Sequence, residues 1–203
     1  MKIAEIFASI QGEGSFSGYP TLFIRFAGCN LRCRYCDTPA AQDEGGTVMD
    51  VTSIAEEVNR SGLSHVCITG GEPLLQQQDL LALLARLHDS GHEISIETNG
   101  TIDFRPSQQY ATICMDVKCP SSGETSDLDL LTHIRKEDSV KYVIGTEGDL
   151  RYALETLKHN PVRGTIFWSP VFGSDPTYIV SFILDQKLPV RFQLQLHKVI
   201  GVQ

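Results

Sequence analysis

Short apolar runs rich in β-branched residues recur along the chain and predict buried strands. Runs of this kind, bounded by turn residues, are typical of strands that are covered on both faces. The predicted strands are Thr21–Phe26, His65–Thr69, Glu93–Glu97, Ala111–Asp116, Val140–Ile144, Thr165–Trp168 and Val190–Gln195.

Segments with helical spacing lie between several of these strands. Ser53 and Glu56 form a capping-box signature, which predicts that a first helix begins there. Leucines at positions 80, 81, 83, 84 and 87 predict a second, strongly apolar helix that Gly91 ends. A third helix is predicted over Asp149–His159.

The alternation of strands and helices predicts an α/β fold with right-handed crossovers and a mostly parallel sheet. A closed eight-fold barrel typically needs about 250 residues, whereas this chain has 203. The connection from Glu97 to Ala111 also has weak helical character. We therefore expect one domain, spanning residues 1–203, that forms a partial, open TIM-like barrel.

The unusual segments of the sequence follow the predicted strands. In parallel sheets, ligands bind beyond the carboxyl ends of the strands, where the loops converge. The segments that end strands here are AGCNLRCRYCDT, TGGEP, ETNGT, DVKCPSSG and SPVFG. Their shared placement predicts one functional site built from these loops.

The charge and the cysteines narrow the choice of partners and compartment. A formal net charge of -8 and a pI near 5.2 disfavour nucleic acid and anionic membranes as partners. The opening residues do not resemble a signal peptide, and we expect a cytoplasmic protein. In a reducing compartment the six cysteines are not expected to form disulfides. Cys67, Cys114 and Cys119 are expected to have structural roles.

Three further cysteines, Cys29, Cys33 and Cys36, fall in one short loop. A structural zinc site uses four ligands, usually as two pairs, and a second pair is missing here. A redox pair would need only Cys33 and Cys36. An iron–sulfur cube normally takes one thiolate for each of its four irons, so three thiolates leave one iron open to a chelating small molecule.

The loop resembles the signature of a known superfamily. The spacing of its three cysteines, with Tyr35 before the last one, resembles that of radical S-adenosylmethionine (SAM) enzymes. Thr69–Pro73, read as TGGEP, is similar to the glycine-rich stretch that lies beside the methionine end of SAM in that superfamily.

Within the superfamily, the start of the chain resembles the 7-carboxy-7-deazaguanine synthase family. The similar stretches are Ile10–Gly14, Phe23–Phe26 and Cys36–Thr38. The resemblance implies a carbon–nitrogen lyase of queuosine and deazapurine biosynthesis. It would contract the ring of 6-carboxy-5,6,7,8-tetrahydropterin to 7-carboxy-7-deazaguanine with loss of ammonia. The implied cofactors are a [4Fe-4S] cluster, SAM and Mg²⁺, and the implied assembly is a homodimer served by an electron donor such as flavodoxin.

The resemblance also implies roles for individual residues that bind the cofactors. Cys29, Cys33 and Cys36 would hold the cluster, and Thr38 would bind Mg²⁺, whereas the residue type and position of Thr38 taken alone favour a turn cap. The implied SAM contacts are Tyr35, Cys36, Asp37, Gly71, Glu72, Asp116, Val117 and Lys118. The stretch of residues 116–118 departs from the Ser-Pro-Lys of some relatives.

A further set of residues is implied for the substrate: Ile10, Gln11, Gly12, Glu13, Arg25, Thr69 and Gln203. Arg25 suits the substrate carboxylate because a guanidinium pairs with a carboxylate in two parallel hydrogen bonds. The alternative is that Arg25 forms an ion pair with an acidic side chain of the protein itself. Glu13 suits the donor edge of the pterin, unless QGEG is only a glycine turn. The C-terminal segment Gln195–Gln203 resembles a tail that reaches the substrate in some relatives, and His197 lies within it.

Two other functional classes share the cysteine triad. A glycyl-radical-enzyme activase also has it, but must accommodate a polypeptide loop rather than a small carboxylate. An iron–sulfur electron-transfer or sensing module would hold a cluster whose spectrum does not respond to SAM.

Overall fold

One open nine-stranded sheet organises the part of the chain that the structure, a computed structural model, describes, which is residues 1–43 and 45–203. The strands are β1 (Lys2–Ile10), β2 (Pro20–Phe26), β3 (Thr47–Val48), β4 (His65–Gly70), β5 (Glu93–Thr98), β6 (Thr112–Val117), β7 (Ser139–Ile144), β8 (Thr165–Pro170) and β9 (Arg191–Phe192). The helices are α1 (Val51–Ser61), α2 (Gln77–Asp89), α3 (Glu147–His159), α4 (Thr177–Gln186) and α5 (Leu196–Ile200). Every helix among these residues falls short of the length and apolar character that a bilayer span requires.

The sheet has the order β3-β1-β2-β4-β5-β6-β7-β8-β9, with β3 and β9 at its edges. Strands β2 and β4–β9 pair in parallel, whereas β1 is antiparallel to both β2 and β3. This confirms the predicted α/β fold with a mostly parallel, unclosed sheet. No α-helix joins β5 to β6, as the weak helical pattern of that connection indicated.

The two faces of the sheet have different contents. Side chains of successive strand residues alternate between faces, and in β7 Val140 and Tyr142 belong to the core while Lys141 between them does not. The core packs the outer face against helices such as α2, whose Leu80, Leu83, Leu84 and Leu87 are fully buried. The other face is left free to carry polar and charged side chains.

Helix starts differ from the sequence-based expectation in two places. The capping box predicted at Ser53 and Glu56 is wrong, because α1 begins at Val51 and Asp50 caps it, accepting a 2.7 Å hydrogen bond from the Ser53 backbone N–H. Aspartate competes well for this position, and it stands three residues before Ser53. In α3 a true capping box pairs Thr146 with Asp149, so that helix begins earlier than predicted.

The chain termini also depart from the predictions. Strand β1 was missed, because its burial alternates irregularly and it mixes Lys2, Glu5 and Ser9 with apolar residues. The strand predicted over Val190–Gln195 is reduced to Arg191–Phe192. Beyond Phe192, the Gln193 backbone N–H still donates to the Trp168 carbonyl at 3.0 Å, and the Gln193 side chain exchanges hydrogen bonds with the backbone of Gly14 at 2.7 and 3.0 Å. Helix α4 was not predicted.

A buried carboxylate joins two loops at the carboxyl end of the sheet. Asp149 accepts hydrogen bonds from the backbone N–H groups of Ser121, Gly145 and Thr146, each at 2.9 Å, and from the Ser121 hydroxyl. Burial acts to raise the pKa of Asp149, but these hydrogen bonds hold it below its ordinary value. The loops after β6 and β7 are therefore tied together by one charge.

We expect Asp149→Asn to lower the free energy of unfolding at neutral pH by about 2–4 kcal/mol, because an amide would turn a donor toward N–H donors. A carboxyl group whose pKa is lowered in the folded protein stabilises the fold above about pH 4, its ordinary pKa range. This stabilisation is lost as the pH falls through the pKa of the folded protein. Denaturant titrations should therefore show the two proteins converging in acid. The exposed Asp175, which accepts from Thr177 N–H, provides the control Asp175→Asn, with a smaller loss; equal losses would contradict the role of Asp149.

Candidate active site

A cavity of about 430 Å³ lies on the inner face of the sheet and reaches the loops after the parallel strands. Most residues that the sequence singled out meet at its wall. Those lining it are Ile10, Gln11, Glu13, Arg25, Cys29, Cys33, Tyr35, Cys36, Asp37, Thr38, Thr69, Gly71, Asp116, Lys118 and Gln203. The lining does not include Gly12, Glu72 or Val117.

The cysteine loop leaves the end of β2 and presents three half-buried free thiols to the cavity. Its turn is closed by a 3.2 Å hydrogen bond from Cys36 N–H to the Cys33 carbonyl, and Cys29 Sγ accepts from Leu31 N–H at 3.4 Å. Within residues 1–43 and 45–203, no group of three or more His, Cys, Asp or Glu side chains is arranged to hold a single metal ion. An iron–sulfur cube gives each thiolate its own iron, so three thiols spread along one wall have the donor chemistry for a cluster.

The glycine turn after β4 packs directly on the start of the cysteine loop. Gly71 N–H donates to the Phe26 carbonyl at 3.1 Å, and Glu72 N–H donates to the Gly28 carbonyl at 2.8 Å. A Cβ on Gly71 would lie 2.2 Å from the Gly28 oxygen. Glycine is therefore required here by the close approach of two backbones.

Glu72 ties this turn to the end of β5 from beneath the cavity. Its fully buried carboxylate accepts from Asn99 N–H at 2.7 Å, Leu74 N–H at 3.0 Å and the Thr98 hydroxyl at 3.0 Å. Burial raises the pKa of Glu72, and these hydrogen bonds oppose that rise. Its place in the structure is that of an internal tie, whereas the sequence pointed to a cofactor contact. The Val117 side chain likewise belongs to the core.

One carboxylate at the wall has an oxygen with no hydrogen-bond donor. Asp116 Oδ2 pairs with Lys118 Nζ at 2.6 Å, whereas Oδ1 is buried and finds no partner within the described residues. Buried polar atoms are normally satisfied, so an unsatisfied oxygen beside a cavity fits a donor supplied by a ligand. A nucleoside hydroxyl is such a donor, and Asp116 is among the SAM contacts that the resemblance implies.

Arg25 and Glu5 form an ion pair on neighbouring strands at the rim. Arg25 Nε donates to Glu5 Oε1 at 2.7 Å, and the guanidinium lies 5.4 Å from the centre of the Phe7 ring. The structural acid considered as an alternative partner is thus present. The hydrogen bonds among the described residues use only Nε of this side chain, and Arg25 lines the cavity. Its terminal nitrogens therefore make no hydrogen bond among those residues.

Thr38 heads the short 3-10 turn Pro39–Ala41, but its side chain makes no capping hydrogen bond there. Its hydroxyl lies 3.9 Å from Cys36 Sγ and faces the cavity. The capping role considered from the sequence is therefore not the one the side chain performs in the described structure.

Two charged residues of the wall, Lys141 and Lys198, were not singled out from the sequence. Lys141 is buried on β7, with its Nζ 3.2 Å from Glu13 Oε1 and 3.9 Å from Asp116 Oδ2. The available signal was a lysine inside the apolar run Val140–Ile144, where a charge is costly unless it is paired.

The C-terminal segment closes one side of the cavity. Leu196 N–H donates to the Gly12 carbonyl at 3.0 Å, and Lys198 Nζ pairs with Asp37 at 2.8 Å. Gln203 reaches the wall, where its backbone oxygen accepts from Ser9 at 2.7 Å. A Cβ on Gly12 would lie 1.9 Å from His197 Nδ1, so the glycine leaves the space that the histidine ring occupies. Gly12 thus affects the cavity wall indirectly, because the C-terminal segment packs on it.

Comparisons with known sequences agree on one family. The Radical SAM superfamily model matches residues 23–112. The 7-carboxy-7-deazaguanine synthase of Methanospirillum hungatei JF-1 is 52% identical over 202 residues, which cover 100% of this chain and 86% of that protein. The synthase of Koribacter versatilis is 39% identical over 98% of this chain and 96% of its own length.

A solved structure has the same architecture. The crystal structure of QueE from Escherichia coli superposes with a TM-score of 0.80 at 25% identity, covering 97% of this chain and 94% of that one. The Streptococcus suis protein SuiB, bound to its precursor peptide, is 13% identical with a TM-score of 0.63 over 88% of this chain and 50% of its own. The SuiB match reports the fold alone.

Because Gly12 and His197 lie in contact, we expect Gly12→Ala to displace the C-terminal segment. Trypsin should then cleave after Lys198 faster than in the unaltered protein, by about tenfold or more if the segment opens locally. Mass spectrometry of the released pentapeptide measures the rate. Gly148→Ala is the matched control, since a Cβ there meets nothing closer than 3.4 Å. An unchanged cleavage rate in Gly12→Ala would show that the segment does not depend on this contact.

Proposed function

This chain belongs to the 7-carboxy-7-deazaguanine synthase family of radical SAM enzymes, and we propose that its cavity carries out the family's ring contraction. The substrate is 6-carboxy-5,6,7,8-tetrahydropterin and the products are 7-carboxy-7-deazaguanine and ammonia. The observation that carries the proposal is one cavity of about 430 Å³ whose wall joins three thiols, an unsatisfied carboxylate oxygen and a guanidinium. The activase alternative is not favoured by any of the relatives reported above.

The proposed cofactor side of the cavity is the cysteine loop and the ends of β4 and β6. Cys29, Cys33 and Cys36 would hold a [4Fe-4S] cluster, which leaves one iron without a protein thiolate. The cluster and SAM, when bound, supply the radical chemistry, while the protein supplies orientation and exclusion of water. Asp116 Oδ1 offers the acceptor that a nucleoside hydroxyl needs. Other proposed SAM contacts are Tyr35, Asp37, Gly71 and Lys118.

The proposed substrate side is formed by the loop after β1, the inner face of β2 and the C-terminal segment. The pterin presents a carboxylate and a guanidine-like edge with several N–H donors. Arg25 would bind the carboxylate through its terminal nitrogens while Glu5 holds Nε. Glu13 would accept from the donor edge, because a carboxylate matches such an edge as it matches a guanidinium. Ile10, Gln11, Thr69 and the tail to Gln203 complete the proposed contacts.

We also propose Thr38 as the protein ligand for Mg²⁺. Magnesium prefers oxygen ligands and commonly binds through few protein groups together with waters and substrate oxygens. Support comes from a threonine hydroxyl that makes no capping hydrogen bond and faces the cavity.

The remaining proposals concern the enzyme's surroundings. By resemblance to the family, the enzyme is a homodimer and receives electrons from a flavodoxin-like donor. Six free thiols suit a reducing compartment and support the proposed cytoplasmic location.

The decisive assay is anaerobic reconstitution with iron and sulfide, followed by incubation with SAM, Mg²⁺, a reductant and the tetrahydropterin. We expect a deazaguanine product detected by its absorbance and mass. Cys33→Ala should abolish turnover and change the cluster spectrum. Cys119→Ala should retain both, because Cys119 is a fully buried thiol outside the cavity wall. Product formation by Cys33→Ala, or a cluster indifferent to SAM, would refute the proposal.

The magnesium assignment has its own test. Thr38→Ala should raise the Mg²⁺ concentration for half-maximal activity by about tenfold or more, because one oxygen ligand is lost. Thr38→Ser keeps the oxygen and should stay close to the unaltered enzyme. Identical magnesium titrations for all three proteins would remove Thr38 from the site.

A further inference from the structure

Lys141 has no part in the assignments above, yet it lies between the proposed substrate and cofactor subsites. We infer that Lys141 is a positioning residue whose ammonium ion fixes the Glu13 carboxylate for the donor edge of the substrate. The inference deepens the proposed function and rests on it. Its claim is separate, because it concerns how one wall residue is held and not which reaction takes place.

The geometry places Lys141 at the centre of a row of charges. On neighbouring strands, Asp116 and Lys141 are register partners, and their side chains share the inner face of the sheet. Lys141 Nζ lies nearer to Glu13, at 3.2 Å, than to Asp116, at 3.9 Å. Glu13 comes from the loop after β1, so the ammonium ion connects that loop to the sheet.

Hydrogen bonds extend this row into the substrate subsite. Gln11 Oε1 accepts from Glu13 N–H at 3.3 Å, and Gln11 Nε2 donates to Glu97 Oε1 at 3.3 Å. On the other side, Asp116 shares its Oδ2 with Lys118 Nζ at 2.6 Å. Lys141 therefore connects the hydrogen-bonded residues Gln11, Glu13 and Glu97 to the ion pair of Asp116 and Lys118.

The charges facing Lys141 keep it protonated. Burial acts to lower the pKa of Lys141, but Glu13, Asp116 and Glu97, in that order, raise it well above its ordinary value, with a further contribution from Cys114. The other titratable groups around these carboxylates are Lys118, Asp37, His197, Lys198, Cys33, Tyr35, Cys67 and Cys119. Burial raises the pKa of Glu97, and Lys141 is the largest influence that opposes the rise. The ammonium ion is thus a principal counter-charge for this acidic wall.

Removing that charge has a defined consequence for recognition. A carboxylate accepts from the N–H groups of a pterin edge, whereas a protonated carboxyl presents a donor of its own. An opposite charge within about 4–6 Å lowers a carboxyl pKa by about 1–3 units. Without Lys141, the Glu13 side chain would lose the partner that orients it, and the pKa of the neighbouring Glu97 would rise further, because Lys141 is the largest influence opposing that rise.

The test compares Lys141→Met and Lys141→Arg with the unaltered, anaerobically reconstituted enzyme. For Lys141→Met we expect KM for the pterin to rise about tenfold or more, with a smaller change in kcat, because a buried charge pair is broken. The acid limb of kcat/KM should move to higher pH by about one unit or more. Lys141→Arg keeps the charge and should restore the acid limb.

A double-mutant cycle separates positioning from direct contact. If Lys141 acts through Glu13, adding Lys141→Met to Glu13→Gln should change KM little beyond the effect of Glu13→Gln alone. Additive effects would mean that Lys141 binds substrate independently, and would overturn the inference. Unchanged KM and acid limb in Lys141→Met would overturn it as well.

Equilibrium dialysis of the tetrahydropterin without reductant supplies a readout that needs no turnover. If the unaltered protein binds the pterin but forms no product, the proposed function fails. Weaker binding by Lys141→Met would in that case still support the inference. If the unaltered protein binds no pterin, both the proposed function and the inference fail. Arg135→Met is the control, since it breaks a 3.0 Å pair with buried Asp138 just before β7. It should lower stability and leave KM and the pH profile unchanged. Should Lys141→Met not fold, Lys141→Gln and Glu13→Gln bear the same comparison.

Discussion

The contact between two backbones at the ends of β2 and β4 is the constraint on which the site depends. Gly71 and Glu72 donate to the carbonyls of Phe26 and Gly28, at a separation that a side chain on Gly71 would prevent. Glu72 continues the tie to Asn99, and the Asn99 carbonyl accepts from Ser126. The loops at the carboxyl edge therefore form one connected rim, and the cysteine loop is held by its neighbours as well as by its own turn.

The inner face of the sheet carries the opposite character from the outer face. Outer residues form an apolar core, whereas Glu97, Asp116 and Lys141 occupy inner positions on β5, β6 and β7. Charges at such depth are stable only when they are paired. The acids of the wall accordingly face Lys118 and Lys141, although the chain as a whole has a net charge of -8. The pairing of acidic with basic side chains at the wall, more than the net charge of the chain, therefore determines which charged ligands this cavity favours.

Much of the fold could be read from the sequence because central parallel strands are continuous apolar runs, and because the motifs stand where those runs end. The irregular pattern of β1 concealed an antiparallel strand, and β9 pairs with β8 only at Arg191 and Phe192. The partnership of Lys141 with Asp116 depends on strand register, and that with Glu13 on a contact 128 residues apart. Neither contact can be recognised from the spacing of residues along the sequence. Glu72 shows the reverse case, since a motif residue makes hydrogen bonds within the scaffold that the motif did not indicate.

The contact of Gly12 with Leu196 and His197 joins the beginning of the sheet to the segment after its last strand. Closing so long a stretch of chain carries an entropic cost that only an assembled sheet can offset. During synthesis the wall on that side stays incomplete until residues beyond β9 have left the ribosome. The cysteine loop, which follows β2, is therefore synthesised well before the segment that closes this side of the cavity.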